Sequence, residues 1–572
     1  MKKISYKIIF ILLCSSFLLL INECTKDFDE MNTNPVLVTP KIVDVDLILT
    51  YVEWNGIVGE AAYGSGTYGC YCGMDYRGDG NPFNDSDAPG EWNFEYGNQL
   101  NNLSAMIRII ESDENKDELV NKLAIARILK AWAVSKLTDT YGDVPYTESC
   151  LSEDQSVYQP KYDTQESIYM DLFKELQEAA AQLDENKASF GEEDLVYGGD
   201  VANWRKLANS LRLRLALRVR YVNEAVAREQ MNDLAEDGLI LTLDDDAYVL
   251  NNTDLAEHMN PRYYHIISSG KITDEVTTHK VMIDILRNDS IHLDPRIKIY
   301  ADTVMASFKG GYSPNGYYFP NWDYRGSPTQ GNVDVEYKYP WGSMTVSEIA
   351  DFWRVPVVAP AILKCPEVYF SLAEAKLAGL LPAGFSNTAE EYYQKGIDAS
   401  IDWYKWFYDL TAPQMPDLML NYIHSSDYVS VQWTEADVQQ YLEFKRIKDE
   451  EVTAFKATEM YTLSGTEEEQ LEKIIDQKIV ALYPDEFQGW CEYRRTGYPR
   501  IPIGPDHAAL NGVVPRREPW PTVEETINSK SFGEALSRYG NDSKLTRFWW
   551  DANPNAPHNF EWTAPSMPTD YQ

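Results

Sequence analysis

Lys122 to Glu148 reads KLAIARILKAWAVSKLTDTYGDVPYTE. Ile125, Ile128, Leu129 and Trp132 recur at i, i+3, i+4 and i+7, which predicts one apolar helical face. Ala124, Ala126, Ala131 and Ala133 lie between them and leave room for a second helix to approach closely. Tyr141-Gly142 predicts the end of the helix, with glycine in a left-handed C′ conformation and Pro145 preventing resumption. The stretch therefore predicts one arm of a packed helix pair.

Further helices follow on either side. Val45 to Gly59 is largely apolar and reads as helical, and Trp92 and Tyr96 open a helix running towards Ile110, as core residues. Asp163-x-x-Glu166 has capping-box spacing and opens a helix with Ile168, Leu172, Leu176, Ala179 and Leu183 on one face. Val201 to Val222 places Trp204, Leu207, Leu211, Leu215 and Val219 inward. Its arginines, Arg212, Arg214, Arg218 and Arg220, are expected to pair with neighbouring helices. Pro366 to Gly379 and Asn387 to Tyr404 form a pair near the period of tetratricopeptide repeats, with Ala373 and Ala375 facing Tyr392 and Ile397. Glu467 to Leu482 and Phe487 to Arg494 are also helical, while the Pro-rich final stretch is expected to wrap the surface.

Two segments break this pattern. Gly59 to Gly90 is rich in glycine and aromatics, including Tyr71 and Tyr76. Its Gly64-Ser-Gly66-Thr-Tyr-Gly69 matches a phosphate fingerprint by letter but leads into another glycine-rich loop instead of a helix. Asp75 to Asn81 lacks the closing glutamate of a calcium loop and carries Arg77 at a ligand position. Between Asp237 and Pro366, helical periodicity survives only near Thr273 to Leu286. Gly310 to Gly326 (GGYSPNGYYFPNWDYRG) again gathers aromatics, Trp322 and Tyr324 among them. Long loops in compact domains are usually functional, and this aromatic content argues against disorder. Tyr71, Tyr76, Trp322 and Tyr324 are the candidate ligand-binding residues, expected to be partly exposed around a shallow platform. Pro320-Asn321 and Asp323 favour a turn that projects the Trp322 indole.

A net charge of −38 excludes the basic face that nucleic acid requires. No HExxH, GxSxG or Walker-type sequence is present, and among 89 acidic residues a carboxylate pair arises by chance. The sequence thus names no catalytic residue, no metal site and no cofactor. Met1-Lys2-Lys3 and Lys7 precede an apolar run from Ile8 to Ile21, shorter than the ~20 residues that span a bilayer. Cys24 follows closely, which predicts a lipoprotein signal over residues 1–23 and acylation of Cys24, although Glu23 stands where a small residue is usual. Residues 24–572 read as one domain. Cys70, Cys72, Cys150, Cys365 and Cys491 give no disulfide framework.

Thr138 to Glu148 (TDTYGDVPYTE) resembles the signature of the SusD/RagB family of surface nutrient-binding lipoproteins, and similar phrases follow in the family's order. They include Tyr197 to Arg218, Asp294 to Tyr300, Glu367 to Gly379, Gln477 to Ile501 and Trp549 to Asp551. Pro515 to Asn528 resembles the family's arginine, proline, glutamate and asparagine block, with Trp520 where tyrosine is usual. The acidic stretch after Cys24 is similar to the family's surface-export signal. This resemblance implies an all-α SusD-like fold with embedded tetratricopeptide-type pairs and long irregular loops. It implies an outer-membrane, cell-surface location and partnership with a SusC-like TonB-dependent transporter. The implied activity is non-catalytic capture of oligosaccharides, with peptides or glycoprotein fragments the alternative ligands and glycoside hydrolysis a more distant one. The shared phrases are chiefly scaffold: Gly142, Trp204, Ala373, Glu374, Trp490 and Arg495 read as packing and buried pairing.

Overall fold

A computed structural model describes residues 44–59, 72–73, 89–152, 155–272, 277–287, 292–303, 324, 347–425, 430–431, 433–501 and 514–556. The helices used below are α1 (Val45–Glu53), α2 (Asn101–Ser112), α3 (Val120–Tyr141), α4 (Gln165–Gln182), α5 (Val201–Val219) and α6 (Glu224–Asn232). They continue with α7 (Cys365–Leu377), α8 (Ala389–Thr411), α9 (Glu435–Lys445), α10 (Glu467–Leu482), α11 (Glu486–Thr496) and α12 (Ser529–Tyr539). Among the described residues, strands are two or three residues long and form small ladders. Residues 46–572 group as one unit. The architecture is all-α.

Helices adjacent in sequence pack on one another: α2 on α3, α3 on α4, α4 on α5, α5 on α6 and α7 on α8, with α10 covering α7. The predicted inward faces of α4 and α5 are buried in full. Between α7 and α8 the approach is close, since a Cβ on Gly396 would stand 2.8 Å from the Phe370 ring. Helix starts are capped as the chain chemistry requires. Thr388 with Glu391 and Thr466 with Glu469 form capping boxes, and Asp200 accepts from the Ala202 and Asn203 amides.

Four expectations are corrected. First, α3 has no solvent side in its second half: every residue from Ala131 to Tyr141 is buried, because helices and the C-terminal chain surround it. Its Lys136 is held at 2.9 Å by Glu95 and lies 4.2 Å from the Trp132 ring centre. Second, Gly142 is not left-handed helical but has φ +82 and ψ −122. Third, Thr164 and not Asp163 caps α4. Asp163 instead accepts from the amides of Tyr146 and Thr147, closing the Val144–Pro145/Tyr162–Asp163 hairpin. Fourth, the described C-terminal chain does not merely wrap the surface. Trp520 donates to the Asp143 carbonyl at 2.8 Å, Trp550 to Asp139 at 2.7 Å, and Arg516 pairs with Asp551, all buried. A helix at Pro261–Ser269 also lacked a clear signal in the sequence.

The arginines of α5 pair as expected. Arg214 bonds Glu367 at 2.7 Å, Arg218 bonds Asp139 at 2.5 Å, and Arg220 bonds Glu374 at 2.8 Å. Arg495 makes a bidentate pair with Glu374 and a second bond to Glu492, whose other oxygen meets Lys478 at 3.2 Å. Burial pushes the Glu492 carboxyl up, but Arg495 and Lys478 outweigh it and hold it well below the usual carboxylate range. Arg494 stacks 3.4 Å from the Trp490 ring centre and donates to the Asp139 carbonyl, a structural role.

Candidate functional site: the ground beneath two aromatic loops

Trp322, Tyr71 and Tyr76, like Cys24, lie outside the described residues. Tyr324 is described, and it corrects the expectation of a partly exposed ring: only 3% of it is accessible. Its carbonyl accepts from Arg287 at 2.8 Å, and its ring lies 5.5 Å from the Lys445 ammonium. Lys445, at the end of α9, is wholly buried and bonds Asp302 at 2.8 Å and the Ala301 carbonyl. Tyr441, one turn earlier, donates to the same Asp302 at 2.7 Å, and its own ring lies 5.3 Å from Lys445. A buried cation needs such company: one carboxylate, one carbonyl and two aromatic faces. Burial, then Asp302, pushes the Tyr324 phenol far above its ordinary range, so it stays neutral.

The described ends of both loop regions converge on the segment Thr277–Arg287. Cys72–Gly73, inside the first loop region, pairs antiparallel with Thr277–Thr278. Both the amide and the hydroxyl of Thr278 donate to the carbonyl of Ser347, 21 residues beyond the second loop region, at 2.8 and 3.0 Å. Ala301 bridges Ile349 nearby, and the Asp302 backbone amide donates to the Glu348 carbonyl. Arg287, at the other end of the same segment, holds Tyr324. No local pattern in the sequence announces this arrangement, because its partners lie far apart along the chain.

His279 follows the anchoring threonines and is 4% exposed. Its Nδ1 accepts from the Val281 amide at 3.3 Å, satisfying one donor at the start of the Lys280–Arg287 helix. A protonated ring could not accept there. Burial, helped by Lys280, pulls its pKa down to about 4. Because the folded value lies below the unfolded ~6.5, this contribution is complete above pH 6.5 and is lost as pH falls towards 4. Between pH 6.5 and 5 the wild type is expected to lose about 1.5 kcal/mol more stability than His279→Gln, the slope reaching ~1.4 kcal/mol per pH unit only below the unfolded value. Urea unfolding at the two pH values checks this, and parallel pH dependences would refute it.

Among the described residues no cluster of His, Cys, Asp and Glu is placed to hold a metal ion, and no helix is long and apolar enough to cross a membrane.

Comparison with known proteins places this architecture. The chain is similar to a solved chitin-binding protein at 26% identity, covering 89% of this chain and all of that one, with a TM-score of 0.67. It is similar to a chitin-binding SusD homolog from Flavobacterium johnsoniae at 26% identity, covering 89% and 98% of the two chains, with a TM-score of 0.60. A SusD homolog from Bacteroides uniformis matches at 25% identity over 89% and 98%, with a TM-score of 0.64. No curated protein matches the chain. The SusD-like family model, described as starch-binding and associating with the outer membrane, matches residues 82–521. With the helical scaffold, the buried pairs of Glu374 and Arg495, and a match over most of its length, this chain belongs to the SusD-like family.

Proposed function

We propose that this protein captures oligosaccharides at the cell surface without catalysis and delivers them to a SusC-like TonB-dependent transporter of the outer membrane. The observation that carries the reading is the common root of the two aromatic loop regions on Thr277–Arg287, beside Tyr324. Aromatic faces suit the C–H surfaces of sugars, while neighbouring Asn, Asp and Arg suit hydroxyls. Relatives described as chitin-binding support a glycan as ligand. Acylation of Cys24 would supply the membrane anchor.

In this reading Trp322 stacks on the ligand, with Tyr71 and Tyr76 beside it, and Tyr324 supports the platform from beneath. Trp322→Ala is expected to weaken oligosaccharide binding at least tenfold, about 1.4 kcal/mol, with an unchanged melting temperature. Isothermal titration against a panel that includes chitooligosaccharides tests this. A stable variant that binds as the wild type does, or one that unfolds readily, overturns it.

A further inference from the structure

A cleft of about 860 Å³ opens between α2, α3, α4 and the chain at residues 146–151. Its volume falls within the range of about 300–1,000 Å³ usual for small-molecule sites. Lys130 stands on the α3 wall, half-buried, with its ammonium open to the cleft. Among the described residues that ammonium has no hydrogen-bond or ion-pair partner, and the Tyr146 ring centre lies 6.0 Å off. Arg108, on α2, donates to the Cys150 carbonyl at 2.6 Å, which fixes the guanidinium and leaves N–H groups of its fork for a ligand.

The carboxylates of the lining have other partners or stand in water. Arg127 bonds Glu175 at 2.8 Å and Glu178 at 2.7 Å, Asp171 accepts from the Tyr146 hydroxyl at 2.6 Å, and Glu111 is exposed. They do not balance Lys130. Burial pulls its ammonium below the ordinary lysine range and Arg108 adds to this, while Cys150, Glu175 and Asp171 oppose the shift without offsetting it. At −38 the chain repels anions at a distance, so a carboxylate gains only beside a local cation that lacks a counter-ion. We infer that this cleft binds an acidic sugar, its carboxylate paired with the Lys130 ammonium and with Arg108 as the second cation. The amides of Gln155 and Gln182 and the hydroxyls of Thr147 and Ser149 suit the ring hydroxyls. An acid without hydroxyls would leave those groups without ligand partners. The inference rests on glycan capture and adds a uronic acid to the sugars captured.

The test uses glucuronate, its uncharged methyl ester and acetate as probes of the full mature chain at neutral pH, by saturation-transfer NMR and titration. Glucuronate is expected to bind at least tenfold more tightly than either the ester or acetate. Lys130→Met should lose at least tenfold of glucuronate binding and leave ester binding unchanged. It should keep or raise the melting temperature, because it removes a half-buried charge without a counter-ion. Lys130→Arg, which keeps the charge, should retain most of the binding. Trp322→Ala should leave glucuronate binding unchanged, which separates this cleft from the loop platform. Equal binding of glucuronate and its ester, or glucuronate binding unaltered by Lys130→Met, would overturn the inference. Acetate bound as tightly as glucuronate would overturn it too, since the cleft would then take a bare carboxylate and no sugar. In each case oligosaccharide binding that still depends on Trp322 would leave the glycan reading standing.

Discussion

Replacing Arg495 with methionine is expected to destabilise the fold by about 3–5 kcal/mol, the cost of removing one partner from a buried ion pair. Arg495 is wholly buried, and so is Glu374, its bidentate partner. The network crosses four elements: Arg220 at the end of α5, Glu374 on α7, Lys478 on α10, and Glu492 with Arg495 on α11. Methionine could fill much of the volume but would leave two buried carboxylates sharing only Arg220 and Lys478. Arg495→Lys, which keeps the charge and loses the planar fork, should fall between the two. Both glutamates are held below their ordinary range against burial, chiefly by Arg495. Their contribution is therefore present above pH ~4.3, the unfolded value, and fades as pH falls below it. Urea midpoints at neutral pH decide the matter: a midpoint equal to wild type in Arg495→Met would mean the network adds nothing.

Gly142→Val is expected to cost about 3 kcal/mol or more, from two independent causes. The backbone at φ +82 and ψ −122 is open to glycine and strained for a β-branched residue, roughly 1–3 kcal/mol. The new Cβ would also stand 2.4 Å from the Tyr539 hydroxyl oxygen and 3.1 Å from Phe548, adding an overpacking cost of about 1–3 kcal/mol. Tyr539 cannot retreat freely, because its hydroxyl donates to the Asp143 carboxylate and accepts from the Asp143 amide, both at 3.1 Å. Combining Gly142→Ala with Tyr539→Phe should recover part of the loss and leave the backbone strain. If Gly142→Val melts with the wild type, the α3 terminus is more plastic than this geometry allows.

The two variants also mark what could be read from residues alone. The faces of α4 and α5 were legible because Ile168, Leu172 and Leu176, or Trp204, Leu207 and Leu211, repeat at the helical period, and local periodicity needs no partner to be visible. Capping was legible to within a residue. Thr164 replaced Asp163 at the start of α4 because Asp163 is drawn away to the Thr147 amide and hydroxyl, a contact made across the hairpin. The Pro-rich C-terminal chain reads as surface by composition, yet Trp520 and Trp550 enter the core to reach Asp143 and Asp139, 377 and 411 residues away. Tyr324 sat in a loop-like aromatic run, and only the placement of Lys445 and Asp302 made it a buried support.

By itself, then, the sequence determined the helical scaffold, the arginine-rich interior of α5 and the two aromatic segments that interrupt the helices. Periodicity, capping and composition act over a few residues and are written in the order of the chain. The tertiary structure alone decided that the segment Thr277–Arg287 meets Cys72–Gly73 of the first loop region and Tyr324 of the second, and that Gly142 has no room for a side chain. Each of these depends on which distant groups burial brings together, and burial is a property of the packed chain.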